Sequence, residues 1–255
     1  FVRVKNGVSP TPLARDLIGP IREALGILDK TVKERAEFDP ATSERAIHIS
    51  MGDLAEVMIL NGLVQTIRAE SAGIRIHNYL TPRDSIPLKL TSGEIDFAIE
   101  PVVLNDTNLH SQRIVSDQFV CVLRKDHPVI NHGLPIEDYV GLEHIQVSGR
   151  RSGAGFIDMV LYKLKRRRKV AVRVQHYLMT HSLLRDSDMA ITVPRKFAQR
   201  VYGEAEFELL PLPFEAPALE LWLHWHASVD DNPCNRWLRE QLVASIDGTR
   251  HGSAS

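Results

Sequence analysis

The stretch Ala46-Ile47-His48-Ile49-Ser50-Met51-Gly52-Asp53-Leu54-Ala55-Glu56 restricts what this chain can fold into more than any other. Ile47, Ile49 and Met51 alternate with His48 and Ser50, which is the period of a strand. The apolar positions then shift to Leu54, Val57, Leu60, Val64 and Ile67, three or four apart, as along one side of a helix. Asp53, followed three residues later by Glu56, reads as a capping-box start. Strand, tight polar turn and helix in this order open a βα unit. The turn falls at the carboxyl end of the strand, where an open α/β sheet takes its ligand and the helix dipole favours an anionic group. Ser50, Gly52 and the first helical amides are therefore candidate ligand contacts.

The pattern repeats downstream. Residues 74–80 alternate as a strand, 84–90 carry a short helix, and 95–99 form a strand that ends at Glu100-Pro101. Such βαβ repetition calls for a parallel sheet with right-handed crossovers. After a polar connection through Asn105 and Asn108, residues 119–123 are wholly apolar, as in a strand buried on both faces. A second α/β unit follows, with strands at 144–147, 170–175 and 189–194 and helices at 156–164 and 177–184. A further helix starts at Arg195, a last strand spans 219–226, and Asp231-Asn232-Pro233 caps a last helix over 234–246. The tail 249–255 is small and polar, which predicts disorder.

Ahead of the first sheet, residues 1–4 read as the end of a strand, followed by the Asn6-Gly7 turn signal. Ser9-Pro10-Thr11-Pro12 opens a long helix, with Thr11 as N-cap and Pro12 at the first helical position. Leu13, Leu17, Ile21, Leu25, Leu28 and Val32 mark one apolar stripe. Gly19-Pro20 is expected to bend it, since an interior proline costs about 3 kcal/mol. Two readings stand: a helix packed on its own domain, or a linker helix paired with the same helix of a second subunit. Residues 38–43 form a short hinge.

At 255 residues the chain has room for more than one compact unit. Its 44% hydrophobic and 25% charged content is that of a globular protein. A net charge of -1 removes any global pull toward nucleic acid or membrane. Cys121 and Cys234 are too few for a disulfide framework, so a reducing cytoplasm is the simplest compartment. No apolar run approaches the roughly 18 residues of a membrane span, and no signal peptide is recognisable. The first residue is Phe rather than Met, which leads us to expect a preceding segment.

Few residues suggest chemistry. The loop 148–155, Ser-Gly-Arg-Arg-Ser-Gly-Ala-Gly, precedes a helix and is suited to a small anion, but it lacks both the Walker ending and the dinucleotide spacing. Lys163, Lys165, Arg166, Arg167, Arg168, Lys169 and Arg173 form a basic cluster, read either as a nucleic-acid contact or as a solvated helix end that complements the dipole. His224 and His226 share a strand face as two metal ligands would, yet the apolar neighbours favour packing and no metal is expected. His176 stands at a strand end before a helix, the same kind of position as Ser50 to Asp53, and is read as ligand-facing or as structural. Gly-x-Ser-x-Gly is absent, no triad spacing stands out, and neither catalysis nor a cofactor is expected.

Several segments resemble one family in order. The run 7–14, Gly-Val-Ser-Pro-Thr-Pro-Leu-Ala, is similar to the end of a winged helix-turn-helix wing entering a linker helix. Leu90-Thr91-Ser92-Gly93-Glu94-Ile95-Asp96-Phe97-Ala98-Ile99 and Arg124-Lys125-Asp126-His127-Pro128 resemble characteristic segments of the LysR-type transcriptional regulators. Val120-Cys121-Val122, Ile191-Thr192-Val193-Pro194, Trp225-His226, Asn232-Pro233 and Trp237-Leu238-Arg239 look most like the branch of nodulation, salicylate and nitroaromatic regulators.

The resemblance implies an α/β fold of two Rossmann-like, periplasmic-binding-protein-like subdomains joined by crossing strands and preceded by a long linker helix. Residues 1–40 would be the wing remnant and dimerisation helix. Subdomain 1 would be built from 45–118 and 217–247, and subdomain 2 from 119–216. A small aromatic inducer would sit between them, held by Ser50, Gly52, Asp53, Glu100 and Pro101 on one side. Ser152, Gly153, His176, Thr192 and Pro194 would face it from the other. DNA would be bound through a domain N-terminal to this chain, in a homodimer or homotetramer. Two positions depart from the family: Gly52 stands where a Ser or Thr is frequent, removing a hydroxyl for a carboxylate, and Ala72-Gly73 replaces a proline. A periplasmic-type solute-binding protein uses the same two-lobed cleft and is the rival reading. The long front helix argues against it.

Overall fold

The computed structural model describes residues 1–4, 7–36 and 38–247. Val2–Val4 (β1) and Gly7–Ser9 (β2) form an antiparallel hairpin, and Pro12–Ala36 is α1. Thr11 accepts a hydrogen bond from the Ala14 amide at 3.2 Å, the expected N-cap. Pro20 lies inside the helix, which continues past it to Ala36. Leu13, Leu17, Ile21 and Leu25 are all exposed. The side chains of Leu28 and Val32, Asn6 and the tail 249–255 lie outside the described residues.

Ala46–Met51 is β3 and Asp53–Glu70 is α2. Ile47, Ile49 and Met51 pack in one buried cluster with Ala55, Met58, Ile59, Leu63 and Ile67 of α2. The buried face is thus turned from the stripe read in the sequence, and Val64 is exposed. The cause is a second neighbour, the C-terminal helix Pro233–Asp247, which also packs on α2. At Gly62 a Cβ would stand 2.8 Å from the Ser245 carbonyl oxygen, so glycine permits this close helix approach.

Arg75–Asn78 (β4) and Phe97–Glu100 (β5) lie parallel to β3, with Ile86–Ser92 (α3) between them in the chain. Ile86 and Leu90 of α3 join Ile95 and Ala98 in a separate small cluster. Leu109–Asp117 (β6) is not among the expected strands: the sequence reads only as a polar connection through Asn105 and Asn108 ahead of Phe119. It is an edge strand with polar, partly exposed residues, so its hydrophobic alternation is weak, and pairing with a distant strand supplies what the local sequence lacks.

The second sheet begins one residue later. Phe119–Arg124 (β7) is nearly all buried, as its apolar run predicted. Ile136–Gly141 (α4), Glu143–Val147 (β8), Phe156–Lys163 (α5), Lys169–Val174 (β9), Thr180–Arg185 (α6), Met189–Pro194 (β10), Arg195–Val201 (α7) and Phe207–Pro211 (β11) follow. Of these, α4 and β11 were not foreseen. The sheet order is β11-β7-β10-β8-β9, with β8, β9 and β10 parallel and β7 antiparallel to both its neighbours.

The chain then returns to the first sheet as Leu219–His226 (β12), antiparallel between β5 and β6, and ends in Pro233–Asp247 (α8). Asn232 caps α8 by accepting from the Asn235 amide at 3.0 Å. Phe38 packs on Trp237 of α8, anchoring the segment that follows α1. The first sheet is ordered β4-β3-β5-β12-β6. Two five-stranded α/β sheets are therefore joined by two passages, at Gln118 and over 212–218. No helix among the described residues is long and apolar enough to cross a membrane.

Candidate functional site

The lobe-1 wall is built at the carboxyl ends of β3 and β5. Ser50 is fully buried, and its hydroxyl accepts from the Thr81 amide at 3.1 Å. Asn78 accepts from the Met51 amide (3.1 Å) and donates to the Met51 carbonyl (3.3 Å), which pins the end of β3 to the end of β4. Gly52 is extended, at φ -78° and ψ 166°, and caps α2 without a side chain. The position a Cβ would take at Gly52 lies 3.9 Å from a Leu80 methyl, so the turn has room for a larger residue.

The capping-box expectation for Asp53 needs correction. Asp53 is the first residue of α2 rather than its cap. One carboxylate oxygen accepts from the Leu54 amide at 3.1 Å. The other accepts from the Tyr177 amide at 3.2 Å, in the opposite lobe. His176 Nδ1 lies 3.5 Å from that same oxygen. One oxygen of this half-exposed carboxylate thus stays on its own helix while the other meets a ready amide across the seam.

Glu100 closes β5 almost completely buried, paired at 2.7 Å with Arg83 Nε. Arg83 sits in the short 3-10 turn before α3 and was not singled out from the sequence. Its guanidinium offsets the buried charge of Glu100. Pro101 next to it is exposed.

On the lobe-2 side, Thr192 lies in β10, its hydroxyl 2.7 Å from the Tyr139 hydroxyl. Pro194 ends the same strand, buried, just before α7. Ser152 and Gly153 stand exposed in the loop between β8 and α5. Gly153 has φ 106°, which favours glycine, and its carbonyl accepts from Arg173 at 2.9 Å. The glycine at 155 serves packing: a Cβ there would collide with the Gln146 side-chain amide beneath it. His176 is 71% exposed.

Asp53 and His176 are thus brought together across the seam, while Ser50, Glu100, Thr192 and Pro194 form the ends of strands on either side of it. Two further ties span the lobes. The Arg200 guanidinium of α7 donates to the Met58 carbonyl of α2. Asp117, at the end of β6, accepts from the Lys196 amide at 2.7 Å. Burial raises the Asp117 pKa, with the Lys196 amide and charge opposing it. Both ties join residues far apart in the chain, and no local pattern signals them.

Behind Thr192 lies a buried polar group that sequence reasoning missed. Asp158 of α5 pairs with the nearly buried Arg168 at 2.6 Å. Although burial alone would raise it, the Arg168 hydrogen bond and charge hold the Asp158 carboxyl below its usual range. Burial, then the Arg168 charge, push the pKa of His144 down to about 4. His144 Nε2 is 2.7 Å from the Tyr139 carbonyl. Burial raises the Tyr139 hydroxyl to about 12. These groups hold Tyr139, and through it Thr192, in one orientation. His224, weighed earlier as a metal ligand, is buried between Ser111 (2.7 Å) and the Val102 carbonyl (3.1 Å). Among the described residues no group of three His, Cys, Asp or Glu is placed to hold a metal.

Residues 41–247 match the LysR substrate binding domain. The chain belongs to the LysR family. NagR of Ralstonia sp, an HTH-type transcriptional activator, is 28% identical over 243 residues, covering 95% of this chain and 81% of NagR. Nodulation protein D 1 of Bradyrhizobium diazoefficiens is 25% identical over 245 residues, covering 95% of this chain and 77% of its own length. The regulatory domain of MexT, a transcriptional activator in Pseudomonas aeruginosa, superposes with a TM-score of 0.72 at 28% identity. That match covers 81% of this chain and 100% of the MexT domain. The two-lobed α/β architecture expected of LysR-type regulators is the one found, and the family match decides for a ligand-responsive regulator over the solute-binding receptor.

Proposed function

We propose that this LysR-family chain binds a small aromatic inducer between its two lobes and passes the resulting lobe orientation to DNA contacts made by an N-terminal domain outside the chain. The observation that carries the site is the Asp53–Tyr177 bond. It sets the carboxyl ends of the strands of both sheets against one seam. Ser50, Gly52, Asp53, Glu100 and Pro101 supply one wall, and Ser152, Gly153, His176, Thr192 and Pro194 the other. Glu100 is neutralised by Arg83, and Gly52 offers an amide without a hydroxyl, which suits a ring with hydroxyl or nitro substituents. The inducer shifts the lobe equilibrium only by its differential affinity for the two arrangements.

The exposed side chains Leu13, Leu17, Ile21 and Leu25 support pairing of α1 with the α1 of a second copy, giving a homodimer or a homotetramer in the cytoplasm. The reading assigns no catalytic role and no cofactor. Calorimetry with hydroxy- and nitro-substituted benzenes tests it. Thr192→Val and His176→Ala are expected to weaken the best binder about tenfold, or roughly 1.4 kcal/mol each. Unchanged affinity in His176→Ala removes that residue from the site, and no heat from any ring compound refutes the aromatic inducer.

A further inference from the structure

Gln146 lies near the end of β8 and is 7% exposed. Its side-chain oxygen Oε1 is buried and meets no hydrogen-bond donor among the described residues. His144, two residues earlier on the same strand face, leaves Nδ1 in the same condition. Its Nε2 lies 2.7 Å from the Tyr139 carbonyl, which can only accept, so Nε2 carries the proton and Nδ1 is a bare acceptor. The surroundings also fix the Gln146 amide. A Cβ at Gly155 would touch both Gln146 Nε2 and Asp158 Oδ2, so the amide nitrogen lies on the side of a carboxylate oxygen and Oε1 is turned from it. Two buried acceptors in one layer therefore lack donors, a costly arrangement unless a further group supplies one.

Gln146 joins this layer to the seam. His144 is level with Ala190, and Ile145 with Ile191, on the parallel strand β10, which puts Gln146 beside Thr192. Both lie on the face beneath α5, where Ala190 packs with Tyr139 and Ile157. The Thr192 hydroxyl is held by Tyr139, and Arg168, the buried cation of the layer, is committed to Asp158. Neither bonds to Oε1. Past Gln146 the strand ends at Val147, and the largely exposed loop 148–155 returns over the amide at Gly155.

We propose that Gln146 is a specificity-determining residue of the seam, its Oε1 accepting a hydrogen bond from a donor group on the inducer ring. The inference rests on the seam reading given above and narrows it to hydroxy- and amino-arenes. The substituent reaches Oε1 as the loop lifts at Gly155, and the ring lies against Thr192. A phenolic O–H or an anilinic N–H satisfies the oxygen. A methoxy or nitro group of similar size presents only lone pairs to it, so the desolvated acceptor stays unpaired.

Calorimetry on the whole chain compares 2-naphthol, 2-naphthylamine, 2-methoxynaphthalene and 2-nitronaphthalene. The first two are expected to bind about tenfold tighter than the last two. Gln146→Met keeps the length of the side chain without its amide oxygen. It is expected to bring 2-naphthol down to the level of 2-methoxynaphthalene, and to leave 2-methoxynaphthalene within about twofold of the parent. The preference is a ratio of affinities within one variant, so a change in stability does not move it. Thr192→Val is expected to weaken all four and to preserve the preference. Equal binding of 2-naphthol and 2-methoxynaphthalene by the parent, or a preference that survives Gln146→Met, overturns the inference and leaves the seam in place. Heat from none of the four removes the seam reading and this inference together.

Discussion

Removing the Asp53 carboxylate tests whether the lobes are clasped at the seam. A charge-assisted hydrogen bond to a backbone amide is worth about 1.5–3 kcal/mol when well shielded. The Asp53 side chain is 40% exposed, so solvent screening brings its share to about 1 kcal/mol. That corresponds to about a fivefold change in the local opening equilibrium. The Tyr177 amide, which donates to Asp53 at 3.2 Å, is the reporter, since its hydrogen exchange follows that opening. In Asp53→Ala the Tyr177 amide is expected to exchange about fivefold faster, with amides in β3 and β8 unchanged. Asp53→Asn keeps an acceptor oxygen and is expected to stay within about twofold of the parent. Equal exchange at Tyr177 in the alanine variant and the parent shows that the lobes are held by other contacts, and removes Asp53 as a clasp.

Two further perturbations test the interior. His144 has a folded pKa of about 4 against 6.5, so its contribution is whole above 6.5 and is lost as pH falls through about 4. Between pH 7 and pH 5 the loss is about 2 kcal/mol. His144→Gln keeps a donor for the Tyr139 carbonyl and is expected to remove that part of the pH dependence in urea unfolding; an unaltered slope refutes it. Gly62→Ala drives a methyl against the Ser245 carbonyl and is expected to destabilise by about 1–3 kcal/mol, read from the urea midpoint. A midpoint equal to the parent's would mean that α2 and α8 separate without cost.

What could be read from the sequence followed from how local each determinant is. Thr11 was legible as a cap, and Asp231-Asn232-Pro233 as a capping run in which Asn232 makes the bond, because a cap bonds an amide three residues away. β7 was legible because both its faces are buried, leaving an unbroken apolar run. β6 was not, since an edge strand is defined by its partner β12, about a hundred residues later. The turn at Ser50 to Asp53 was placed correctly at the end of a strand, but the role of Asp53 depends on Tyr177, a partner with no sequence signature. Thr192 was named without the Tyr139, His144, Asp158 and Arg168 group behind it, because those side chains converge from three separate elements and one turn.

The two passages between the sheets differ in slack. Gln118 alone spans the first, and its carbonyl accepts from the Arg195 amide at 2.8 Å while Asp117 beside it accepts from Lys196. The second has seven residues, 212–218, to absorb displacement. A body tied by one short stay and one long one swivels about the short stay. The excursion of one sheet against the other then grows with distance from Gln118.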